Sequence, residues 1–237
     1  MPPLLPLVAG FVAFVAGVAI LRTYGPNYRI GRLLATTPEV AVAEARALAS
    51  GRARYVRIAG RIDAEDEFED EAHRPLVFRR TRLQLRRDGR WVSFEDQRER
   101  VPFEVRDGLE AIGVDDTALD TGLVVVPRES VGTAADVADR VPTGTPAETL
   151  VRLRVDQVSS VEHAIVLGVP ALDPAGEPQL SAGLGRPLVL TTLDPEEAMR
   201  VLAEGGRRRI LLATACLAGG LGLVTIALVL AVVGAVS

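Results

Sequence analysis

Two apolar runs without one charged side chain, Met1 to Leu21 and Ile210 to Ser237, close off the ends of the chain, and every charged residue lies between them. A helix needs about 20 mostly apolar residues to cross a bilayer core, where backbone polar groups find no water and must bond within the segment. Both runs reach that length. The pattern predicts transmembrane helices over 4–21 and 210–236 and a polar domain over 22–209. The first run has no basic residue ahead of its apolar stretch, which favours an anchor over a removable signal peptide. Arg22, Arg29 and Arg32 follow the first run and Arg200 and Arg207 to Arg209 precede the second, while neither outer tail is basic. The positive-inside rule then predicts an integral membrane protein with two spans, a cytoplasmic domain and both termini outside.

Ala9, Ala13 and Gly17 recur every fourth residue in the first run, as do Ala218 and Gly222 in the second. Small faces let helices approach closely, so pairing of the spans or a homo-oligomer is an expectation, set against the plain abundance of Ala and Gly in membrane helices. The only ionisable group in either run is the Cys216 thiol, which indicates no ion pathway.

The formal net charge is -4, and the 27 basic residues are all arginine. An acidic domain argues against nucleic acid as partner, and the absence of lysine excludes a P-loop or Schiff-base lysine. One cysteine and two distant histidines, His73 and His163, supply no intrachain disulfide and no zinc motif. No metal and no cofactor are expected.

Thr37 as N-cap, Pro38 at the first helical position and Gly51 as terminator predict a short helix after the first span. Strand alternation starts at Tyr55 to Gly60. Asp88-Gly89 is a two-residue hairpin turn that pairs Leu85 with Val92 and Leu83 with Phe94 on one face, and Arg86 with Trp91 and Arg82 with Glu95 on the other. Further strands are expected at Val101 to Val105, Leu123 to Val126, Leu150 to Val158, Ala164 to Val169 and Leu188 to Thr191. Asp194, Pro195 and Glu197 start a last helix, which Gly205 and Gly206 stop. The fold class is therefore α+β: a β-rich, barrel- or sandwich-like soluble domain with flanking short helices, bracketed by two transmembrane helices.

The order of span, β-rich domain and second span, with a strand reading Val101-Pro102-Phe103-Glu104-Val105, resembles the GIDE family, whose domain is also called "beside a membrane". Tyr55 to Gly60 with its acidic loop, Ala164 to Val169, and Leu188 to Leu193 leading into a Glu-containing helix carry the same resemblance, which covers nearly the whole chain through diffuse motifs. The best-known members are mitochondrial RING-type ubiquitin ligases, in which a zinc-binding RING follows the second span and recruits a charged conjugating enzyme. This sequence stops at Ser237 without those ligands. The resemblance thus implies the membrane-apposed domain alone, in a prokaryotic setting.

The carboxylates of Asp63, Glu65, Asp66, Glu67, Glu69, Asp70 and Glu71 lack the glycine and spacing of a calcium loop and read as a solvated acidic loop. The hairpin arginines could meet anionic headgroups, and the lipid or partner contact is placed at Arg80, Arg82, Arg86 and Trp91. Gly183 and Gly185 read as a turn. No nucleophile elbow is present and no carboxylate pair stands out, so no catalytic residue is assigned. Two function classes follow: a non-enzymatic interaction or scaffold domain at the membrane surface, with the bilayer and a protein as partners, and a ubiquitin-ligase component whose catalytic RING is supplied by a partner.

Overall fold

The computed structural model describes residues 4–119, 122–203 and 206–236. The chain forms two compact units, Leu34–Ala198 and the paired segments Met1–Leu33 with Met199–Ser237. Its helices are α1 (Leu4–Thr36), α2 (Val42–Leu48), α3 (Pro195–Ala203) and α4 (Gly206–Val236). The strands are β1 (Val56–Asp63), β2 (Phe68–Glu69), β3 (Pro75–Arg87), β4 (Arg90–Arg100), β5 (Phe103–Asp107), β6 (Glu110–Val114), β7 (Leu123–Val124), β8 (Arg128–Thr133), β9 (Leu150–Ser159), β10 (His163–Leu172), β11 (Pro178–Ser181) and β12 (Val189–Thr191). The protein is α+β, with barrel-like sheets and few helices.

The barrel closes through β1, β5, β6, β11 and β10, and β10 returns to β1. All of its pairings are antiparallel except β6 with β11. This is the five-stranded Greek-key order of an OB-type barrel. β10 also pairs with β12, and β12 runs parallel to β7, which extends the sheet. Alternation decides what fills the interior: Val56, Ile58 and Ile62 of β1 point into the same core as Phe103, Val105, Ile112, Val166, Leu180 and Leu190. Gly60 sits on that inward face because nothing larger fits. A Cβ there would lie 2.5 Å from the Arg106 carbonyl oxygen.

The second sheet has the order β4-β3-β9-β8, with β2 pairing the first residues of β3. β3 starts in the barrel, where Leu76, Val77 and Phe78 are buried, and runs outward. At its far end Leu83, Leu85, Ala134 and Val151 form a smaller core, covered by Phe94, Val137 and Val141. Asp88 and Gly89 turn the hairpin with φ of 48° and 74°, the left-handed pair of a type I′ turn. Leu85 pairs with Val92 and Arg86 with Trp91 as expected. The register then shifts: Gln84 pairs with Ser93 but Leu83 with Glu95 and Arg82 with Asp96. Phe94 is the extra residue of a bulge, so the expected Leu83–Phe94 and Arg82–Glu95 pairs are not formed.

The segment after α1 also departs from expectation. α1 continues through Gly25 and Pro26 to Thr36 instead of ending near Leu21. Thr37 caps nothing. The Arg57 N–H donates to the Pro38 carbonyl at 3.0 Å and the Val40 N–H to the Arg57 carbonyl at 2.9 Å, so 38–40 lies along β1 and the next helix waits until Val42. Arg57 fixes this stretch, donating to Glu39 at 2.5 Å and to the Leu34 carbonyl at 3.2 Å. At the other end α3 begins at Pro195, and the Ala198 N–H reaches the Asp194 carbonyl at 2.9 Å. Gly205 lies outside the described residues, and Gly206 opens α4 rather than stopping α3.

In the terminal unit, Leu211–Val229 is long and apolar enough to cross a membrane, and Leu7–Ile20 is a shorter apolar stretch. The two helices pack on small residues. A Cβ on Gly17 would meet Leu217 at 2.8 Å and the Ala213 carbonyl at 3.2 Å, and Gly10 faces Gly220 and Val224. Gly10 and Gly17 are seven residues apart, as are Ala213, Gly220 and Ala227, all buried. That is the repeat of a knobs-into-holes seam, not the four-residue stripe read from the sequence. Gly17 belongs to both patterns. Ala9, Ala218 and Gly222 are exposed.

Candidate functional site

The alternation of β3 places Arg80, Arg82, Gln84 and Arg86 on one face of the outer sheet, opposite the small core. Across the ladders the same face carries Arg98, Asp96, Ser93 and Trp91 of β4, Asp156, Arg154 and Arg152 of β9, and Glu129 of β8. The four residues singled out from sequence are thus brought together. They are not equivalent. Arg80 holds Asp96 with both arms, at 2.8 and 2.6 Å, and this keeps the Asp96 carboxyl below its usual range. Arg82 is turned to Asp156, which also accepts from Arg154 at 3.4 Å. Trp91 lies beside Arg86 in register, yet the guanidinium over its ring is that of Arg152, 4.8 Å from the centroid. Arg152 also donates to Gln84 at 2.6 Å. Arg86 is exposed, and its side chain makes no hydrogen bond or ion pair among the described residues. Six arginines therefore face three carboxylates here, and two of the named four, Arg80 and Arg82, already serve internal pairs.

The acidic loop divides between structure and solvent. Asp70 accepts from the backbone N–H of Ala72 and Arg74 at 2.8 and 3.0 Å and from the Arg74 side chain, which holds its carboxyl far below the usual range. It closes the turn between β2 and β3. Asp63 accepts from Arg106 at 2.6 Å. Glu65, Asp66 and Glu67 remain exposed. Among the described residues no group of three His, Cys, Asp or Glu side chains could hold a metal ion.

Sequence reasoning missed a recess on the barrel, a groove of about 730 Å³ along β5 and β6. Phe103, Ala111 and Val114 contribute to its apolar lining, together with Pro102 and Pro178, and Leu109, 96 % exposed at the β5–β6 turn, stands at its lip. Seven carboxylates and two arginines surround that floor. The carboxylates come from three separate stretches: the loop after β1, the β5–β6 region and the β10–β11 turn. Burial pushes Asp116 above its usual pKa, against the pull of Arg100 at 3.1 Å. Neighbouring Asp115 is also raised by burial, but the hydroxyls of Ser181 and Thr117 outweigh this and leave it low. A smaller chamber of about 300 Å³ adjoins the groove and shares Asp63, Ala64 and Arg106 with it. Ser160 lines that chamber; it is 6 % exposed, and its Oγ has no hydrogen-bond partner. The arrangement suits recognition of cationic groups over an apolar floor. Among the described residues, those that line the groove include no Ser, Thr or Cys to act as a nucleophile; the Asp115–Ser181 pair, at 2.6 Å, lies outside that lining, and its low carboxyl pKa opposes proton abstraction.

No family model matches the chain, no curated protein does, and no solved structure does.

Proposed function

We propose that this chain is a membrane-anchored, GIDE-like interaction or scaffold domain that works at the membrane surface and has no catalytic centre of its own. The packing of α1 against α4 carries the proposal. Glycine and alanine lie at the contact, while Phe11, Val12, Val15, Leu212, Leu221, Ile226 and Leu228 are exposed around it. A helix pair in water keeps its large apolar residues inside and its polar ones outside; this pair is arranged for lipid. On this reading both helices cross the bilayer, and the arginine flanks set the domain in the cytoplasm with both termini outside.

Single cysteines test the topology in a Cys216→Ser background. A reagent that does not cross membranes, applied to intact cells, should label Pro2→Cys and Ser237→Cys and spare Glu148→Cys until the membrane is opened. Labelling of Glu148→Cys in intact cells would overturn the orientation. Release of the protein by alkaline carbonate would overturn the anchoring. The purified protein should transfer no ubiquitin on its own, and transfer without an added RING protein would remove the scaffold reading.

A further inference from the structure

The domain carries two complementary surfaces that it cannot bring together by itself. At the turn of the β3–β4 hairpin Arg86, Arg87 and Arg90 are exposed, and their side chains make no hydrogen bond or ion pair among the described residues. On the barrel, the groove beside β5 and β6 gathers seven carboxylates against two arginines. β3 leaves the barrel core at Phe78 and reaches the turn at Arg87, about 30 Å away at the rise of a strand. Its ladder to β9 continues outward as far as the Leu85–Val151 pair. The tip therefore cannot fold back onto the groove of its own domain.

We propose that the arginine-bearing tip of the β3–β4 hairpin docks into the acidic barrel groove of a second copy of this chain. Three features of the groove suit that occupant. The carboxylates of Glu65, Glu104 and Glu177 are exposed at its edge and accept the forked donors of guanidinium groups. Leu109 and the apolar floor cover the methylene stems behind those groups. The Ser160 hydroxyl, buried and without a partner, lines the adjoining chamber and provides a further acceptor there. The contact joins unlike surfaces, so it is heterologous: each copy offers a tip to one neighbour and a groove to another, which yields a lateral row and not a closed two-fold pair. The contact itself does not depend on the proposed membrane anchoring, although confinement to one membrane would raise the effective concentration of the two surfaces.

Charge reversal of each surface in the full-length protein provides the test. Self-association is measured by energy transfer between fluorophores fused at the C-terminus, in detergent and in neutral-lipid vesicles. Both Arg86→Glu/Arg87→Glu/Arg90→Glu and Glu65→Arg/Glu104→Arg/Glu177→Arg should weaken association of the protein with itself at least tenfold. Mixing the two should restore it, because an acidic tip then meets a basic groove and a basic tip an acidic groove. Added salt should weaken the wild-type contact. All six side chains are on the surface, and an unchanged circular dichroism spectrum shows that each variant is folded. The proposal is overturned if the wild type does not self-associate, if either triple variant associates like the wild type, or if the mixture stays apart. Loss of binding to anionic vesicles by the arginine variant, with self-association intact, would assign the tip to lipid instead.

Discussion

Gly10 and Gly220 meet backbone to backbone: a Cβ added to either would lie 2.8 Å from the carbonyl oxygen of the other. No rotamer can relieve that overlap, since the backbone fixes where a Cβ lies and the oxygen it meets belongs to the main chain. Gly220→Val should separate the helices and lower stability by about 1–3 kcal/mol, the usual range for overpacking. Gly222, two residues on, has nothing within 4 Å of its added Cβ, so Gly222→Val should be nearly neutral. Thermal unfolding of the detergent-solubilised chain distinguishes them. Equal effects would argue against the seven-residue seam.

Asp156 shows what the outer sheet requires of its charges. It is one of the few buried charged groups, 6 % exposed, and it accepts from Arg82 and Arg154. Asp156→Ala would leave the Arg82 guanidinium, already carrying an unsatisfied Nε, without its carboxylate. Removing one member of a buried pair costs about 3–5 kcal/mol, and the partial exposure of Arg82 reduces this to about 2–3. Glu99→Ala, whose partner Arg79 is paired at a more exposed position, should cost less than about 1 kcal/mol. Denaturant titrations of the two variants check the difference.

Trp91 is the only tryptophan, so its fluorescence reports this sheet directly. Arg152 covers the ring, and Arg86 does not. Arg152→Gln should shift the emission to longer wavelength and cost about 0.5–1 kcal/mol, the value of an exposed cation-aromatic contact. Arg86→Gln should leave the emission where it is. The opposite pattern would restore the cross-strand partner read from the hairpin register.

These differences mark where the sequence stopped being readable. Asp88-Gly89 specifies a turn because both residues tolerate positive φ, and the pairs nearest to it, Arg86–Trp91 and Leu85–Val92, follow directly. Phe94 is no different in pattern from its neighbours; its bulge is decided by the core under Val137 and Val141, which lies far along the chain. β8 has one apolar strand residue, Val131, and that is exposed, so its place comes from the ladder to β9 and not from periodicity. β11 likewise shows only Leu180 inward. The groove was illegible for a related reason: Asp63, Glu104 and Glu177 become neighbours only once the barrel order is known.

The barrel closure makes its own demand on Gly60. Substitution by alanine would press a methyl group 2.5 Å from the Arg106 carbonyl oxygen and 2.9 Å from Val105, where β1 crosses to β5. Gly60→Ala should therefore open the barrel seam and lower the melting temperature sharply. At Gly113 the nearest atom is a Gln179 side-chain carbon at 3.4 Å, so Gly113→Ala should be tolerated far better.

Acid should loosen one segment before the rest. Asp136 accepts from the Thr133 N–H at 2.7 Å and from its hydroxyl at 3.0 Å, and these bonds hold its carboxyl below the usual range. A carboxyl depressed in the folded state stabilises above its unfolded pKa of about 3.9 and loses that contribution as pH falls through the lower, folded value. Protonation removes the acceptor from the short helical turn at Ala134–Val137, whose residues Ala134 and Val137 cover the outer core. Hydrogen exchange should therefore show faster opening of 133–141 below about pH 3.9 than the barrel strands show. Asp136→Asn should bring that faster opening to neutral pH and flatten its dependence on acid. An unchanged pH profile in the variant would mean that the turn is held by its packing alone.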